Sequence, residues 1–122
     1  MKGQTYRMAM LFDFFGEVLT ERQQEFFQLY YDEDLSLSEI AQRFDITRQG
    51  VRDVVSRAEN ILLDLEVKTG LVARFHTTRE QLQELSQISQ ELTAYADRSK
   101  DLQLVELAKQ LNQNLENLQR EE

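Results

Sequence analysis

Arg48, Gln49 and Arg52 lie within five residues of one another and carry hydrogen-bonding groups of one useful kind. A guanidinium donates through a rigid planar fork, and a primary amide sets a donor beside an acceptor. Each can grip two polar atoms of a flat partner at once. Along the major groove of a duplex, guanine presents such an atom pair to Arg and adenine presents one to Gln. On a helix, Arg48 and Arg52 stand one turn apart with Gln49 beside them, and Asp53 and Ser56 share the outward sector. Arg57 on the flank and Arg43 just upstream are placed to meet phosphates rather than bases. Thr47, in the position of a helix N-cap, adds a hydroxyl and the free amides of a first helical turn, which favour an anion. The candidate set Thr47, Arg48, Gln49, Arg52, Asp53, Ser56, Arg57 and Arg43 therefore reads as a surface for double-stranded DNA.

Such a surface needs an element that holds it clear of the body of the protein. In "LSLSEIAQRFDITRQGVRDVVSRAENIL", Leu35 to Leu62, two helical stretches are separated by a tight turn. A steep crossing of two helices requires a small residue at the contact, and Ala41 stands there. Four positions later the chain must turn, often through a left-handed residue, and Asp45 tolerates that conformation better than most side chains. Ile40, Phe44, Ile46, Val51 and Val54 supply the apolar inward positions. In the second stretch Val51, Val54, Val55, Ala58, Ile61, Leu62 and Leu65 fall in an arc of roughly 120°, which leaves the candidate set opposite. This is the pattern of a helix-turn-helix, whose second helix enters the groove by the outer face near its N-terminus.

The rest of the chain follows from caps and periodicity. Thr20 to Gln23, Ser36 to Glu39 and Thr78 to Gln81 each fit a capping box; Thr47 is a further N-cap, and Asp97 or Ser99 a fifth. The chain has no proline and only four glycines, and good helix formers dominate it. Six helices are expected, over roughly 4–18, 20–33, 36–43, 47–69, 78–95 and 99–119. Phe12, Phe15, Leu19, Phe26, Phe27, Leu29, Tyr30 and Tyr31 provide the core of the first four. From residue 78 the apolar series Leu82, Leu85, Ile88, Leu92, Tyr95 and Leu104, Ala108, Leu111, Leu115, Leu118 recur at three- and four-residue steps. The expected architecture is all-α: a helix-turn-helix domain at 1–77, then an antiparallel helical hairpin at 78–122. The hairpin's apolar stripes suit a homo-oligomer, with packing inside one chain as the alternative.

Composition narrows the function. The chain has no cysteine, and His76, read as flanking the helix end near Gly70, is its only histidine. No His-based triad, zinc site or Gly-rich phosphate loop is in view, so no catalysis, cofactor, metal or small-molecule substrate is expected. The acidic run Asp32, Glu33 and Asp34 reads as a solvated junction before Ser36. Arg7, Asp13 and Glu17 interrupt the first apolar run, so neither a signal peptide nor membrane insertion is expected, and a cytoplasmic protein is. The formal charge is −8, but residues 36–57 hold four basic and three acidic side chains and form the one segment that is not net negative. Binding to phosphates should therefore be weak to moderate and steeply salt-sensitive.

The run from Leu19 to Glu66, with "LTERQ", "SLSEIA" and "TRQGVR", resembles the C-terminal promoter-reading region of bacterial sigma factors. Over roughly residues 6–75 the chain resembles more closely the YlxM family of small bacterial helix-turn-helix proteins, through "LFDFFGEVLT" and "LYYDEDLSL". The sigma resemblance implies that Arg48, Gln49 and Arg52 face DNA; Gly50 departs from it, standing where sigma factors usually have a larger polar residue. The YlxM resemblance implies a regulatory link to the signal recognition particle, because the family's genes tend to lie beside those of its components. Two functions follow as expectations: a sequence-specific DNA-binding regulator, or an adaptor that binds signal recognition particle protein or RNA and reads no bases.

Overall fold

The structure is a computed structural model and describes residues 5–120. Helix α1 (Thr5–Phe15) runs into a short 3-10 turn at Gly16–Val18. Then follow α2 (Glu21–Tyr31), α3 (Leu37–Phe44), α4 (Arg48–Thr69), α5 (Leu71–Ser99) and α6 (Leu102–Arg120). No strand occurs among the described residues, so the chain is all-α as expected. None of its described helices is long and apolar enough to cross a membrane. The expected start of the first helix at residue 4 lies outside the described residues.

Local chemistry sets most of these boundaries. Thr20 and Ser36 form complete capping boxes: each hydroxyl accepts from the amide three residues on, and Gln23 and Glu39 accept from the cap's own amide. Two orphan donors are satisfied at each start. The first helix stops at Phe15 rather than 18, and the Gln24 amide donates to the carbonyls of Gly16 at 2.9 Å and Leu19 at 3.2 Å, tying the 3-10 turn to α2.

The contacts divide the chain into two compact units, Met1–Val72 and Ala73–Glu122. In the first, α4 packs on α1, α2 and α3, and α2 supplies the largest buried rings. Phe26 and Phe27 are fully buried, Phe26 against Phe44 of α3 and Phe27 stacked on Phe12 of α1, both with ring centroids 4.9 Å apart. Met8, Leu11 and Phe15 join them from α1, Ile40 and Ala41 from α3, and Val51, Val55, Ala58 and Leu62 from α4. Phe12 and Tyr30, expected in the core, pack at its partly buried margin. The Tyr31 hydroxyl donates to the Glu59 carboxylate on α4. Burial first, and then that carboxylate, push the Tyr31 phenol above its usual range.

Gly70, at φ 62, closes α4 in the left-handed conformation, and α5 starts one residue later. The opening amides of α5 are taken by side chains of α4: Val72 donates to Glu66 at 2.9 Å and Leu71 to Thr69 at 3.3 Å. The capping box expected at Thr78 is therefore not used. Thr78 lies inside α5, and His76 does too, rather than at a helix end. Between Leu71 and Thr78 no Gly or Pro interrupts a helix that is already capped upstream. At the other end α5 runs on to Ser99, and the cap of α6 is Asp101 rather than Asp97 or Ser99. Its carboxylate accepts from the Gln103 and Leu104 amides at 3.1 and 3.2 Å.

In the second unit α6 folds back along α5 after a turn of two residues. Ser89, fully buried, donates to the Asn112 carbonyl oxygen, and the Asn112 amide donates to Thr93 Oγ1 at 2.7 Å. Leu82, Ala96, Ala108 and Leu115 are buried with Ser89. The contact thus runs through small and polar positions, and much of the expected apolar stripe stays open: Leu85, Ile88, Tyr95, Leu111 and Leu118 are exposed. Asn112→Ala leaves the Ser89 and Thr93 hydroxyls with one partner fewer each. It is expected to lower stability by about 1–3 kcal/mol, read as an earlier midpoint in urea by circular dichroism.

Candidate nucleic-acid interface

The two helices of the candidate site are fixed by one joint. Ile40 is fully buried and Ala41 nearly so, which lets α3 approach α4 closely. Asp45 adopts the left-handed conformation, φ 56 and ψ 46, and its amide donates to the Ala41 carbonyl. The Ile46 amide donates to the same oxygen at 3.1 Å. Ala41 thereby supplies both the small side chain and the acceptor that ends α3, while Phe44, Ile46 and Val54 pack against the core from the margin.

From this joint α4 emerges with its faces cleanly divided. Val51, Val55, Ala58 and Leu62 are buried; Arg48, Gln49, Arg52, Asp53 and Arg57 are exposed, as are Thr47 at the cap and Arg43 on the last turn of α3. Ser56 differs. It is half-buried and lines, with Tyr30, Leu37, Arg52, Val55 and Glu59, an open cleft of about 200 Å³. The Thr47 hydroxyl accepts from the Gly50 amide at 2.9 Å, so its own proton is left to donate outward beside the free amides of Arg48 and Gln49. A Cβ on Gly50 would stand 3.2 Å from that hydroxyl oxygen, a tight approach that suits glycine at this departure from the sigma pattern.

One contact on this face was not foreseen. The Gln49 amide donates to the Asp53 carboxylate at 3.0 Å. The i, i+4 spacing of Gln and Asp on one helix face is the signal that gives it away. The pairing occupies one of the two donors of the Gln49 amide and sets a negative charge beside the arginines.

A small residue at the crossing, a left-handed joint, a buried inner face and an exposed polar outer face define a helix-turn-helix protein. The chain belongs to the UPF0122 family, whose model, described as "Putative helix-turn-helix protein, YlxM / p13 like", matches residues 2–105. Similar chains include UPF0122 proteins of Desulforamulus reducens, 48% identical over 66% of this chain and 68% of that one, and of Halalkalibacterium halodurans, 45% identical over 71% and 80%. One from Thermoanaerobacter sp. is 37% identical over 91% of this chain and 92% of its own.

Proposed function

We propose that this protein is a sequence-selective DNA-binding regulator in which α4 is the groove-reading helix. The observation that carries the reading is the joint projection of Arg48, Gln49 and Arg52 from the exposed face of a helix held by the Ala41–Asp45 joint. Arg48 and Arg52 read guanine edges and Gln49 an adenine edge; Thr47, Arg43 and Arg57 position the helix on phosphates. Asp53 and the net charge of −8 oppose non-specific attraction and make binding depend on base contacts and on salt. The protein acts in the cytoplasm, catalyses no reaction, and assembles through α5 and α6. Selection from random duplex DNA, at low and at physiological salt, tests the reading. It is expected to return one recurring motif rich in G, and a pool with no enrichment at either salt would count against it.

A second reading is favoured by the same acidic balance and by Asp53 on the outer face: an adaptor for a basic partner, such as signal recognition particle protein. It is distinguished by capture of that partner that survives Arg48→Ala and Arg52→Ala and is lost on truncation after residue 77.

A further inference from the structure

The hairpin of α5 and α6 closes largely through small and polar side chains and leaves an apolar surface open. With Ser89 directed at α6, the helical repeat turns Leu85, Ile88, Leu92 and Tyr95 roughly 40–120° to one side. With Leu115 directed at α5, Leu104, Leu107, Leu111 and Leu118 turn roughly 20–80° in the same rotational sense. Antiparallel helices offset in the same sense turn those residues to the same flank. The eight side chains therefore make a single apolar face, six of them well exposed: Leu85 49%, Ile88 60%, Tyr95 61%, Leu107 55%, Leu111 41% and Leu118 50%. The bonds from Asn112 to Ser89 and Thr93 set the register, which brings Leu85 level with Leu118, Leu92 with Leu111 and Tyr95 with Leu107. The steps between them, three and four residues, are those of a seam that packs on further helices.

We infer that this face is covered by the same face of a second copy, two hairpins closing into a four-helix bundle about a twofold axis. Charge selects this occupant. The polar residues sharing the flank are Gln81, Ser99, Gln103 and Asn114, with Glu84 and Gln110 at the rim and Glu91 just beyond it; Arg98, Glu106 and Lys109 point away. Neither a nucleic acid nor a charged protein finds a counter-charge there, whereas an identical apolar face needs none. Size agrees. The 19 residues of α6 span about 28 Å, and two helices are about 20 Å wide. The flat footprint is on the order of 560 Å², comparable, once side-chain relief is counted, with the ~800 Å² per partner of a stable complex. Leucine rungs crossing both helices also make the face complementary to itself, as a twofold contact demands.

The inference sharpens the assembly attached to the DNA-binding reading. The two are separable, because assembly is measured without DNA and base reading through the arginines of α4. Sedimentation equilibrium of the full chain is expected to give twice the 14.4 kDa chain mass, undiminished by added salt. Ile88→Gln combined with Leu111→Gln alters side chains that are open within one chain, so the helical signal should hold. The dissociation constant should rise at least about a hundredfold. Leu85→Gln with Leu118→Gln, at the far end of the face, should act alike. A monomer at every concentration, a larger assembly, a dimer indifferent to both pairs, or one dissociated by salt would each overturn the inference.

Discussion

Phe26→Ala is expected to lower the stability of the first unit by roughly 3–5 kcal/mol, the usual cost of removing a buried aromatic ring. Phe26 has no exposed surface, and its ring meets Phe44 at 4.9 Å, so the loss opens a void between α2 and α3. A domain of this size is stable by only about 5–15 kcal/mol, and α3 is eight residues long, too short to hold without that contact. The change should therefore appear in urea denaturation and also as lost protection of α3 amides in hydrogen exchange. Tyr6→Ala, at a side chain 72% exposed, serves as the control and should move stability by no more than about 0.5 kcal/mol. Equal effects at the two positions would mean that the Phe26 ring does not anchor the core of the unit.

Arg48→Ala and Arg52→Ala are each expected to weaken binding to a selected duplex by about 1–3 kcal/mol, roughly fivefold to more than a hundredfold in dissociation constant. The loss should be confined to base pairs the arginine reads. Arg43→Ala and Arg57→Ala should act differently, weakening all sequences alike and flattening the salt dependence by about one unit of slope. Titrations of fluorescent duplexes at several salt concentrations separate the two patterns. If Arg48→Ala and Arg52→Ala bind the selected site as tightly as the parent, α4 does not read bases and the adaptor reading takes its place.

Where structure depends on a few neighbouring residues, it was legible. Thr20, Ser36 and Thr47 cap helices because an N-cap needs only a hydroxyl and an amide three residues on. Asp45 takes the left-handed turn for an equally local reason. The exposure of seven of the eight candidate residues follows from helical periodicity, and Ser56 departs because a cleft between α4 and its neighbours is not a periodic property. Less could be read after residue 70. A capping signature at Thr78 acts only if the chain before it leaves the helix, and here Glu66 and Thr69 had already started α5 at Leu71. The hairpin contact escaped for a different reason. Apolar spacing picks out leucines, while α5 and α6 meet through Ser89, Thr93 and Asn112, with Ala96 and Ala108 buried beside them. No hydrophobic pattern points to a buried serine whose partner lies 23 residues away.

The left-handed residue at position 45 has a consequence for how this surface can be lost. A β-branched side chain there would resist φ 56 and favour carrying α3 straight on into α4. The bent elbow would become one continuous rod, with every arginine still present but none of them presented. A single backbone angle, three residues before Arg48, thus decides whether the outer face of α4 is held out as a separate surface.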